Sequence, residues 1–146
     1  MEEHSTPEIL SPGVTYERIS VGPQIIDIMK MKNTSRSTVD ISIGRFGEII
    51  QTWPEDQTHY SLWNMLEAKS VVLMTPYMKA KVTEGYMAAK CKLVVAVVVN
   101  ESFLDADSRA FLKKQNLDVK DVTGFFSNVE NGLAWLGKVY SDVHGA

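Results

Sequence analysis

The chain has 146 residues, 45% of them apolar and 23% charged, with a formal net charge of −3. That is enough apolar material for one core and the ordinary size of one domain. The mildly acidic balance excludes a global basic field, so neither nucleic acid nor an anionic membrane surface is an expected partner.

The only cysteine, Cys91, has no partner for an intramolecular disulfide, and the opening MEEHSTPEIL lacks the charged-then-apolar pattern of a secretion signal. A cytoplasmic location is the expectation. The longest apolar run, Leu93 to Val99, falls far short of the roughly 20 residues of a membrane helix, so no membrane insertion is expected.

In chain order, residues 1–12 are polar, carry Pro7 and Pro12, and read as a flexible tail. Val14–Ser20 and Gln24–Met31 are strand-compatible runs separated by Val21-Gly22-Pro23, which predicts an opening β-hairpin. Thr38–Trp53 fits two templates: Val39, Ile41 and Ile43 alternate, whereas Val39, Ile43, Phe46, Ile50 and Trp53 recur at helical steps. The helical template covers more residues, Ser37 with Asp40 resembles a cap, and Pro54 suits the stop, so a helix is expected here despite Gly44 and Gly47.

A strand is predicted around 59–66 and an amphipathic helix from Thr75 to Lys90, with Met74, Met78, Val82, Gly85 and Ala89 on one face. LVVAVVV, between Lys92 and Asn100, is a β-branched run without polar interruption, the mark of a strand covered on both faces in mid-sheet. Ser102 with Asp105 opens a helix carrying Phe103, Ala106, Ala110 and Phe111. Val122–Phe126 is a short strand, and Ser127 to Glu130 is a capping box for a last helix that Gly137 should stop. The order ββαβαβαβα predicts one α/β domain over residues 13–140 with a mixed, mostly parallel sheet, followed by a short tail at 141–146.

KLVVAVVVNESFLDADSRAF followed by VTGFFSNVENGLAWLG resembles the SpoIIAA-like or STAS-like superfamily. The resemblance is specific over residues 92–137 and compatible with the pattern over 14–91. It implies a β-hairpin leading into alternating helices and strands, and many such domains have no known role. Anti-anti-sigma members carry a phosphorylatable serine at the start of the helix after the central third strand. By position that place falls at Thr75 or Ser70, where the approach reads Val71-Val72-Leu73-Met74 rather than an Asp-Ser-Ser-Gly-like turn.

Thr75-Pro76 also has a plain structural reading, because threonine caps free amides and proline suits the first helical position. A hydroxyl at that helix start would equally favour a phosphate or a bound anion. Catalysis has little support. His4, His59 and His144 are far apart in sequence, no metal-ligand spacing occurs, and no glycine-rich phosphate loop follows a strand. Cys91, just ahead of a buried strand, reads as a small core residue, and Asp105 and Asp107 as capping and solvated groups. No catalytic residue, metal or cofactor is expected.

Trp53, Tyr60, Trp63, Tyr77, Met78, Tyr86 and Met87 concentrate in the middle third, either as core or as an interface built around Trp53, Trp63, Tyr77 and Tyr86. The expected function is therefore a non-enzymatic domain acting by protein association, as a homo-oligomer or with another protein. The alternative is a binding module for a small apolar or anionic ligand at the carboxyl edge of the sheet. The 66–76 loop, with Ser70 and Thr75, and Asn100 and Glu101 would be its contact residues.

Overall fold

The computed structural model describes residues 2–68, 75–100, 122–144 and the single positions 106 and 110. The expected positions Ser70 and Glu101, and most of the helix expected after the LVVAVVV strand, lie outside the described residues. Ala106 and Ala110, which belong to that helix, are helical.

The strands are β1 (Glu2–His4), β2 (Glu8–Ser11), β3 (Val14–Val21), β4 (Gln24–Met31), β5 (His59–Asn64), β6 (Leu93–Val98) and β7 (Val122–Phe126). The helices are α1 (Arg36–Thr52), α2 (Pro76–Ala88) and α3 (Val129–His144). All seven strands join one mixed sheet in the order β1-β3-β4-β5-β6-β7, with β2 also paired to β3. The three pairings that β3 makes, with β1, β2 and β4, are antiparallel, whereas β4-β5, β5-β6 and β6-β7 are parallel. The expected α/β class and mixed sheet are present, but the sheet is not mostly parallel as expected, because β1 and β2 add two antiparallel pairings to that of the hairpin.

The hairpin between β3 and β4 turns on two residues, Gly22-Pro23, with Val21 paired to Gln24. Gly22 has φ = 58°, a conformation open to glycine, and proline's fixed φ suits the second turn position. That turn sets the register of the whole hairpin. It places Arg18 opposite Asp27 and Tyr16 opposite Met29.

Residues 1–12, expected as a tail, instead supply β1 and β2. The outer edge of β3 offers unpaired backbone groups that another segment can satisfy. Ser5 uses both of its arms there: its N–H donates to Arg18 O at 2.7 Å and its Oγ accepts from Arg18 N at 2.8 Å.

β6 is buried at every position, as a strand covered on both faces must be. On one face, α1 and α2 pack over Met29 and Met31, Trp63, Leu93, Val95 and Val97; on the other, α3 packs over Ile26, Tyr60, Leu62, Val94, Ala96 and Val98. α1 starts two residues earlier than Ser37 would place it, because Ser35 is the capping residue and Asn33 Oδ1 accepts from both Ser35 N and Thr38 Oγ1. It ends before Pro54, as expected.

α3 is capped by Asn128, whose Oδ1 accepts from Asn131 N at 2.8 Å, rather than by Ser127. It runs on past Gly137 to His144. A glycine inside a helix costs only about 1 kcal/mol, which Val139 and Tyr140 offset by packing on the sheet core. Gln24 Nε2 donates to Leu136 O and fixes the helix to β4.

Gly132 is the closest point of approach between α3 and the sheet. A Cβ there would stand 3.0 Å from Leu62 Cδ1 and 3.3 Å from Val98 Cγ2. Gly132→Val is expected to lift the helix and cost about 1–3 kcal/mol, read as a lower urea midpoint with an unchanged slope.

Candidate functional site

The sheet face beneath α1 and α2 carries two features side by side: a buried polar network at the amino ends of β4 and β5, and an apolar cavity further along. The network centres on Asp27, which is 3% exposed. Its Oδ1 accepts from Tyr16 Oη at 2.6 Å and from Arg18 Nε at 2.7 Å, and its Oδ2 accepts from Arg18 Nη2 at 3.1 Å. Oδ2 also faces His59 Nε2 at 2.7 Å.

Burial alone would raise the Asp27 pKa, but the hydrogen bonds from His59, Arg18 and Tyr16 outweigh it and hold the carboxyl at about 2. Asp27 is therefore a carboxylate, and a carboxylate only accepts. The proton between it and His59 accordingly sits on Nε2. Burial, reinforced by the bond to Asp27, pushes the Tyr16 hydroxyl well above its ordinary range. The Arg18 guanidinium is held charged by the same carboxylate and lies over the Trp53 ring, 5.7 Å from its centre.

Aromatic rings close the network off. His59 is 1% exposed and meets Trp53 edge-on at 4.7 Å and Phe46 edge-on at 5.3 Å. Its Nδ1 has no hydrogen-bond partner, and neither has the Oγ of Ser61, the next residue on the same strand face and also 1% exposed. Ser61 is paired with Asp27 on one side and with Val95 on the other.

Beyond this network lies a cavity of about 70 Å³ between α1, α2 and strands β5 and β6. Ile43 and Phe46 of α1, Met78 and Tyr86 of α2, and Trp63 and Leu93 of the sheet are among its walls. The expected apolar face of α2 thus does face inward, through Met78, Val82 and Gly85. At about 24 cal/mol per Å³, an unfilled volume of this size costs about 2 kcal/mol. A guest that fills it recovers that cost, and the hydroxyl of the wall residue Tyr86 already reaches Thr123.

A second concavity of about 270 Å³ lies at the carboxyl ends of β4 and β5, against the start of α3, bounded by Tyr16, Glu17, Lys30, Asn64 and Val129. Its one positive group, Lys30, is paired with Glu67 at 2.8 Å.

The predicted site residues distribute as follows. Thr75 caps α2, its Oγ1 accepting from Met78 N at 3.2 Å, with Pro76 in the first turn. Thr75→Ala is expected to cost about 1 kcal/mol, visible as a lower melting temperature. Asn100 is exposed beyond the end of β6. The four aromatic positions are all half-buried and packed against the core under α1 and α2. Trp63 and Tyr86 line the cavity, Tyr86 also reaching Thr123 Oγ1 at 3.2 Å. Tyr77 donates to Asp40 and lies beneath the Arg36 guanidinium, 4.6 Å from its ring centre. Trp53 covers His59.

Cys91 is buried in the same core, as expected for a small apolar residue. Among the described residues no group of three His, Cys, Asp or Glu side chains could hold a metal ion, and no helix is long and apolar enough to cross a membrane. Tyr16, Arg18, Asp27, His59 and Ser61 were not singled out from sequence as a set; the signal that joins the first three is the hairpin register. No family model matches the chain, and no curated protein or solved structure matches it either.

Proposed function

We propose that this domain is a binding module for a small apolar molecule, held between α1, α2 and the sheet. The observation that carries the reading is the cavity whose walls are apolar or aromatic side chains from both helices and two strands. Small-molecule sites are concave and mostly apolar, and this one draws on the aromatic and methionine residues concentrated in the middle third. The site lies under the helices rather than at the Asn100 end of the sheet.

The same reading takes the fold as SpoIIAA-like or STAS-like, on the strength of a hairpin followed by alternating elements around a mixed sheet, and takes the domain as non-enzymatic. The guest is short: an engineered apolar cavity of about 150 Å³ takes benzene, and the volume here is about half of that. Titration with chloroethane, followed through the methyl resonances of Met65, Met78, Val95 and Val97, tests the proposal. Saturable shifts confined to those methyls are expected. Shifts that spread over the surface and rise linearly with concentration would remove the reading.

Association with another protein or a second copy is the competing reading. Met87 on α2 and Ile9 on β2, 82% and 76% exposed, favour it. They are separate residues on separate elements, whereas the cavity residues converge on one volume.

A further inference from the structure

Two buried polar atoms adjoin the apolar cavity without a hydrogen-bond partner: His59 Nδ1 and Ser61 Oγ. Such atoms cost free energy unless something satisfies them, about 1–3 kcal/mol each. Both residues lie on the strand face that lines the cavity. Leu93, the register partner of His59, and Val95, the partner of Ser61, are themselves cavity walls, as is Trp63, the next residue on that face of β5.

The Phe46 side chain touches both regions. The Phe46 ring meets His59 and Trp63 edge-on, at 5.3 Å from each. Ser61 sits between those two residues along β5, and Phe46 is itself one of the cavity walls.

We propose that the ligand of this cavity is a short amphiphile with one hydroxyl, whose apolar chain fills the volume under α2 and whose hydroxyl passes Phe46 to His59 Nδ1 and Ser61 Oγ. The inference rests on the apolar-guest reading and adds the chemistry of the guest's polar end. The donor and acceptor pattern fits. With a proton on Nε2 facing Asp27, a hydroxyl suits Nδ1 because it can donate or accept there, and the Ser61 hydroxyl completes the pair from its other side. A purely apolar guest leaves both atoms unsatisfied.

The test is a matched pair of probes, ethanol and chloroethane, titrated into the full chain and followed by NMR. One satisfied buried pair predicts that the alcohol binds roughly five- to tenfold more tightly. In Ser61→Ala that advantage is expected to fall to about twofold or less. A second readout needs no variant: the ¹⁵N resonance of His59 Nδ1 should move on saturation with the alcohol and stay in place with the chloroalkane. If the chloroalkane binds in the cavity as tightly as the alcohol, or His59 Nδ1 does not respond to the alcohol, the hydroxyl-bearing guest is wrong while the apolar site stands. If neither probe binds, both readings fall.

Discussion

Asp27→Ala should destabilise the fold by about 3–5 kcal/mol, the cost of removing one partner of a buried charge-assisted network. The carboxylate is the common acceptor of groups from three positions on two neighbouring strands: Tyr16 and Arg18 from β3 and His59 from β5. Without it, His59 Nε2 and the Tyr16 hydroxyl are left under α1 with no acceptor. Arg18 is partly exposed and can turn to water, so its share of the loss is the smallest. Urea unfolding measures the effect, and a loss below about 1 kcal/mol would show that the network is not a brace between β3, β4 and β5.

The same carboxylate sets a pH signature. Its folded pKa, about 2, lies below the ordinary value of 3.8, so its stabilisation is fully present above pH 4 and is lost as the pH falls toward 2. Linkage puts that loss at about 2 kcal/mol. The other groups facing Asp27 are Tyr16, Arg18 and His59, with the Arg45 guanidinium 5.6 Å from the centre of the Tyr16 ring. Unfolding free energies measured between pH 5 and pH 2 should therefore fall more steeply for the natural chain than for Asp27→Asn, which keeps a carbonyl acceptor and has no proton to gain in this range.

The second large effect is on binding. Gly85 faces the cavity from α2, and a Cβ placed on it meets no atom of the described residues within 4 Å. Gly85→Leu therefore adds helix propensity worth about 0.8–1 kcal/mol and pushes an isobutyl group into the volume a guest would occupy. The variant should be more stable than the natural chain by about 1–2 kcal/mol and should bind chloroethane at least tenfold more weakly. Stabilisation together with lost binding is an uncommon combination, since most substitutions destabilise. A variant that gained stability and kept its affinity would move the binding site elsewhere.

Much of the fold was legible residue by residue. The β-branched run at Leu93–Val98 became the fully buried β6, flanked on both sides by parallel strands, and the helical template over Thr38–Trp53 outweighed the alternating one, as α1 bears out. The amino-terminal strands were not legible, because their pairing depends on the open edge of β3 rather than on any periodicity of their own. Gly137 did not stop α3, because the residues after it still have a sheet to pack against.

The site was legible only in part. Met78, Val82 and Gly85 form a recognisable helix face, but the presence of a cavity beneath it depends on how α1 and α2 settle over the sheet. Asp27, between Ile26 and Ile28, reads as the outward residue of an alternating strand. That inference fails in a sheet with helices on both faces, where neither side is outside. The two-residue Gly22-Pro23 turn does carry the missing information: pairing Val21 with Gln24 forces Arg18 opposite Asp27, an ion pair that can be counted off the sequence. His59 could not be added that way, because it arrives by a parallel pairing across a helical crossover.

The central claim is that an apolar guest occupies the volume between α1, α2 and the sheet, and the most direct measurement is a crystal structure of the protein soaked with bromoethane, with bromine located by its anomalous scattering. The account predicts one bromine peak inside the cavity, among Phe46, Trp63, Met78 and Leu93, and no such peak in Gly85→Leu. Bromine bound only on the outer surface, with the cavity walls collapsed onto one another, would contradict it.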